Sequence, residues 1–159
     1  MNLFTFFLIS LTVYSGLFFG SLLSYVVKEE LQPGEQYFKL GKRFVYFVFA
    51  ITTVLVAGFR PWWVAGALFV VLAFAYIKYI DSRYLQLFVG LILYYFVDHP
   101  LLPLFASMIF IFNFPTATLM IHKSIKEHLT DKKKVVLSIL VSHLWFFVGV
   151  VFYAVRILQ

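Results

Sequence analysis

No Asp, Glu, Lys or Arg precedes Lys28, so the chain opens with an uncharged apolar run, 3–27. A helix needs roughly 20 such residues to cross a hydrocarbon core of about 30 Å, and this run exceeds that. The rest of the chain repeats the theme. Hydrophobic residues make up 63% and charged ones 13%, against about 45–50% and about 25% in soluble domains. The expectation is an all-α, polytopic integral membrane helix bundle that fills residues 1–159 as a single transmembrane domain with short loops.

Six apolar segments are expected to form the spans: 3–27, 44–59, 62–80, 84–97, 101–121 and 135–158. The second is short and borrows a turn from 37–43. The third is entered through Arg60-Pro61, a proline position a helix start tolerates. The fourth has an apolar run of only 14 residues, a length that also suits a re-entrant segment. Five spans with a re-entrant fourth segment is therefore the rival count.

Positive charge orients the bundle, because cytoplasmic loops keep Lys and Arg while translocated loops are depleted of them. Lys28, Lys39, Lys42, Arg43, Lys78, Arg83, Lys123, Lys126, Lys132, Lys133 and Lys134 fall on one side, which makes eleven of the thirteen basic residues. Arg60 and Arg156 fall on the other. The loops 28–43, 81–83 and 122–134 are thus expected in the cytoplasm and both termini outside it, in a multi-pass protein of the cell membrane. Removing the fourth span would move Lys123 to Lys134 to the opposite face and destroy the asymmetry. The first run lacks a basic region ahead of it and is too long for a cleaved signal peptide, so it is read as a retained helix.

The chain has no cysteine, which removes disulfides, thiolate metal sites and thiol nucleophiles. No HExxH or similar spacing announces a metal, and no cofactor is expected. The net charge of +6 belongs to the cytoplasmic loops, so nucleic acid is an unnecessary partner. The lipid bilayer and its anionic head groups are the expected partners, with other membrane subunits or a second copy of the chain as protein candidates. The basic surface for head groups is Lys123, Lys126, Lys132, Lys133 and Lys134, each worth about 1 kcal/mol near an anionic membrane.

Four constellations stand out. Thr12, Gly16, Gly20 and Ser24 recur every fourth residue on one helix face, and Gly16 with Gly20 forms a GxxxG. That stripe suits close packing within the bundle or, as the alternative, a seam to a second chain. A mid-membrane polar layer is expected from Thr52, Thr53, Asn113, Pro115, Thr116, Ser142 and His143. Such residues mark either hydrogen bonding between helices or a solute pathway. At the outer face, Asp98 and His99 are the catalytic candidates, as a pair that orients a general base, ligates a metal or ends a helix at Asp98-His99-Pro100, or as a polar turn in which Asp98 meets Arg60; Trp62 and Trp63 beside Arg60 look like interfacial anchors. On the cytoplasmic side, Pro33-Gly34 is expected to turn the segment holding Glu29, Glu30 and Glu35, and Ile121, Ile125 and Leu129 carry the fifth helix beyond the membrane. No inverted repeat is visible; the one obvious helix interruption is Asn113-Phe114-Pro115.

Three function classes remain. The first is a non-enzymatic subunit, scaffold or accessory of a larger membrane assembly. The second is a small transporter or channel using Asn113 and His143. The third is a lipid-handling enzyme built on Asp98 and His99 or on the cytoplasmic glutamates.

Overall fold

The computed structural model describes residues 1–27, 31–56, 83–126 and 132–159. Among them every element is helical: α1 (Leu3–Val26), α2 (Leu31–Val56), α3 (Arg83–Tyr95), α4 (Leu102–Lys126), α5 (Lys132–Ser142), a 3-10 turn (Leu144–Phe147) and α6 (Val148–Leu158). The segment 62–80, Arg60, Trp62, Trp63, Glu29, Glu30 and residues 127–131 lie outside the described residues. Among the described residues, three segments are long and apolar enough to cross a membrane: Leu3–Val26, Leu102–Ile125 and Lys133–Leu158.

Helix α1 starts where the side chain of Asn2 accepts the Thr5 N–H at 2.7 Å, a cap worth about 1 kcal/mol. α4 is the central element. α1 runs parallel to it, with Gly16 against Phe110 and Gly20 against Phe114. α2 runs antiparallel, pairing Tyr46 with Phe112 and Phe49 with Phe105. α1 and α2 each lie along α4 rather than along one another. α3 is also antiparallel to α4, and its last turn is pinned by Phe96 stacked on Phe105, rings 4.1 Å apart and 7° from parallel. α6 runs back along α1 and beside α3, through Phe6 with Tyr153 and Tyr94 with Tyr153.

Two expectations need correcting. Pro33-Gly34 does not turn the chain; both residues sit in the first turn of α2. A proline there loses no intrahelical bond, because the first N–H groups of a helix have no acceptor within it. α3 has 13 residues and is about 20 Å long at 1.5 Å per residue. It ends in a run of tight turns over residues 96–101 and is shorter than a hydrocarbon core.

The second correction concerns continuity. The helix interruption expected at Pro115 is absent, for α4 runs unbroken through it. The last span, expected as one helix over 135–158, breaks instead at His143. In a regular helix the Ile139 carbonyl would accept the His143 N–H. Here Ser142 Oγ and His143 Nδ1 take that carbonyl, at 2.9 and 2.7 Å, and the His143 N–H moves to Leu140. Side chains that compete for a carbonyl in this way tighten the backbone into a 3-10 turn. As expected, α4 extends beyond Ile121, to Lys126.

Candidate functional site

At one end of the bundle, Asp98 gathers the chain. Its carboxylate lies 3.4 Å from the Met1 amine and 3.1 Å from Arg156, while the Tyr153 hydroxyl donates to the Met1 carbonyl. His99 turns away, with its Nδ1 accepting the Leu101 N–H at 3.2 Å and its ring edge-on to Phe96. No hydrogen bond joins Asp98 to His99, so the expected Asp-His pair does not form. The side chains of Asp98 and Arg156 are about half exposed, and such a pair contributes at most about 1 kcal/mol. This is a tie between chain segments.

The glycine stripe is occupied from within. A Cβ on Gly16 would stand 2.6 Å from the Phe110 carbonyl oxygen, and one on Gly20 2.2 Å from that of Phe114. Only glycine admits α4 so closely, and the backbones then meet through weak Cα–H···O contacts. Thr118 strengthens the seam by donating to the Gly20 carbonyl at 3.1 Å, and Ser24 donates to the same carbonyl from within α1. Thr12 stays outside the seam, exposed, with its hydroxyl on Leu8.

A second glycine seam was missed in the sequence. A Cβ on Gly90 would lie 2.1 Å from the Phe146 carbonyl oxygen, and one on Gly149 2.2 Å from that of Gly90. α3 and the broken last span therefore touch backbone to backbone, at the 3-10 turn.

Between the two seams lies the polar interior. Asn113 is fully buried; its Nδ2 donates to the Val13 carbonyl at 3.1 Å and its Oδ1 accepts from Gln86 Nε2 at 2.9 Å. Because a carbonyl only accepts, Val13 fixes the orientation of the Asn113 amide, and that in turn fixes Gln86. Among the described residues the buried Gln86 Oε1 has no partner, nor has Ser10 Oγ. Gln86 was not singled out in the sequence.

The other expected polar residues bond more locally. Thr52, Thr53 and Thr116 each donate to the carbonyl four residues back. Pro115 removes the donor that would serve the Ile111 carbonyl, and Thr116 does not replace it, donating to Phe112 instead. Ser142 and His143 bond to one another and to Ile139, and the Tyr14 hydroxyl reaches across from α1 to the Leu140 carbonyl. Since Ile139 can only accept, the His143 proton sits on Nδ1. Among the described residues the polar set thus divides into an amide chain, Gln86 to Asn113 to Val13, and a capped helix break around Ser142 and His143.

The opposite end of the bundle carries Glu35, which bridges Lys39 at 2.6 Å and His122 at 3.2 Å. Lys42, expected on the polar surface, is instead buried at 2% exposure with its Nζ 5.8 Å from the centre of the Phe112 ring. It sits about 10 Å further along α2 than Glu35, by helical rise. An aliphatic stem and an aromatic face make such burial tolerable. Lys123, Lys133 and Lys134 are exposed; the side chains of Lys126 and Lys132 lie outside what is described. Among the described residues, no group of three His, Asp or Glu is placed to hold a metal.

Compared with protein families, curated proteins and solved structures, the chain matches none.

Proposed function

We propose that this chain is a multi-pass protein of the cell membrane that serves as a non-enzymatic subunit or accessory of a larger membrane assembly. The observation that carries the reading is where the reactive side chains go. Asn113 ties α4 to α1 and α3, His143 and Tyr14 cap a broken helix, and Asp98 binds Met1 and Arg156. These three candidates for chemistry hold the bundle together, while Phe4, Phe18, Leu22, Leu137, Trp145 and Phe152 present a large apolar exterior to lipid or partner helices.

In this reading the Asp98 end faces outward and the end with Lys123, Lys133 and Lys134 faces the cytoplasm, in contact with anionic head groups. This orientation takes six crossings, with 62–80 as one and the short α3 together with its turns, 83–101, as another. Native mass spectrometry of the protein extracted gently from its own membrane tests the role: stoichiometric foreign subunits are expected, and a chain found only alone or with its own copies overturns it. The orientation has its own test, since the chain lacks cysteine. Single cysteines at Asn2 and Lys133 should label from opposite sides, and labelling from one side breaks the topology.

A second reading, a small transporter or channel, draws support from the buried Gln86 Oε1, which has no partner among the described residues, and from a span divided into two helices by a 3-10 turn, since discontinuous helices line polar paths in transport proteins. It requires a proteoliposome flux that Gln86→Leu abolishes in protein that remains folded. Unchanged flux in that variant removes it.

A further inference from the structure

Between α2 and α4 the wall of the bundle opens into an apolar groove of about 360 Å³. Phe38, Gly41 and Val45 form one side, and Ile111, Phe114 and Pro115 the other. Gly41 makes the opening: a Cβ added there would meet nothing within 4 Å.

We infer that this groove holds one acyl chain of an anionic phospholipid from the leaflet at the Glu35 end of the bundle. Three observations select that occupant. The lining is apolar, so it suits hydrocarbon rather than a head group or solute. Its extent along α2, from Tyr37 at the mouth to Val45, is about 12 Å by helical rise. That is close to one leaflet, half of a core of about 30 Å, whereas a partner helix would need a seam through both leaflets. The mouth lies at the end of the bundle where Lys123 and Lys133 are exposed, which matches a negative head group. Tyr37, exposed beside the mouth, is suited to the interface level. The inference rests on the membrane embedding of α2 and α4 and is independent of the assembly role.

The test uses the full chain, purified alone and reconstituted in nanodiscs of equal parts phosphatidylglycerol and phosphatidylcholine, then examined by native mass spectrometry. The wild-type protein should retain one phosphatidylglycerol in preference to phosphatidylcholine. Gly41→Leu, which fills the groove with a side chain that has room and favours helix, should reduce that retention about tenfold, converted from the loss of a buried chain segment, while its thermal midpoint stays level or rises. Three results overturn the inference: no retained lipid, equal retention of the two lipids, or unchanged retention in Gly41→Leu. Because the chain is purified alone, failure here is separate from any failure to find foreign subunits in the native membrane.

Discussion

α4 contains a proline and runs straight through it; the last span contains none and breaks at His143. The contrast teaches that helix continuity within this bundle is decided by where carbonyl groups find donors and by what the neighbouring helix needs, more than by proline. Pro115 sits in a helix clamped by α1 on one side and α2 on another, so losing one bond leaves its path unchanged. At Ser142-His143 two side chains take the carbonyl that would have continued the helix, and Tyr14 satisfies the next one. The resulting 3-10 turn presents the Phe146 carbonyl to Gly90. A break so served stabilises a contact that a continuous helix would not make in this form.

The largest effect should come from denying that contact. Gly90→Leu places a side chain against the backbone of Phe146 and is expected to destabilise the protein by about 3 kcal/mol, at the upper end for overpacking, seen as a large drop in thermal midpoint in detergent. A normal midpoint would mean the two segments do not touch. The double variant Ser142→Ala, His143→Leu should return the Ile139 carbonyl to the backbone, at a cost of about 2 kcal/mol from the disturbed seam. Amide exchange at residues 143–147 should slow as the helix becomes regular; faster exchange would sink the competition account. Tyr14→Phe removes one cap and should cost about 1 kcal/mol, measured as a smaller fall in midpoint. Pro115→Ala should change stability by less than about 1 kcal/mol, since it restores one donor to a helix already in place. A loss larger than that of Tyr14→Phe would reverse the comparison and make the proline the more important feature.

How much of this could be read in advance follows from where each signal resides. The apolar runs revealed the helical class and the course of α1, and the four-residue stripe pointed to the Gly16 and Gly20 seam, because both features repeat along a single helix. Gly90 and Gly149 have no small residue four positions away, and their seam exists only across two helices, so no one-helix pattern announced it. Lys42 was legible after all. It shares a face with Tyr46, Phe49 and Thr53 at spacings of four, three and four, all buried, yet its charge placed it with the surface lysines. Gln86 carries the lone amide in an otherwise apolar stretch, 85–97, and depth alone could have marked it. The break at His143 stayed hidden because it comes from three side chains, one of them that of Tyr14, 126 residues from the Leu140 carbonyl it caps.

The amide of Asn113 and the carbonyl of Val13 are 100 residues apart in the chain. At a synthesis rate of about 5–20 residues per second, α1 waits roughly 5–20 s in the bilayer before its principal neighbour is made. During that interval the Gly16 and Gly20 face is a vacant docking strip. Biogenesis of this protein therefore has a timed vulnerability: α1 must be shielded from foreign helices until α4 arrives, and the clasp of Met1, Asp98 and Arg156 can close only after residue 156 has been made.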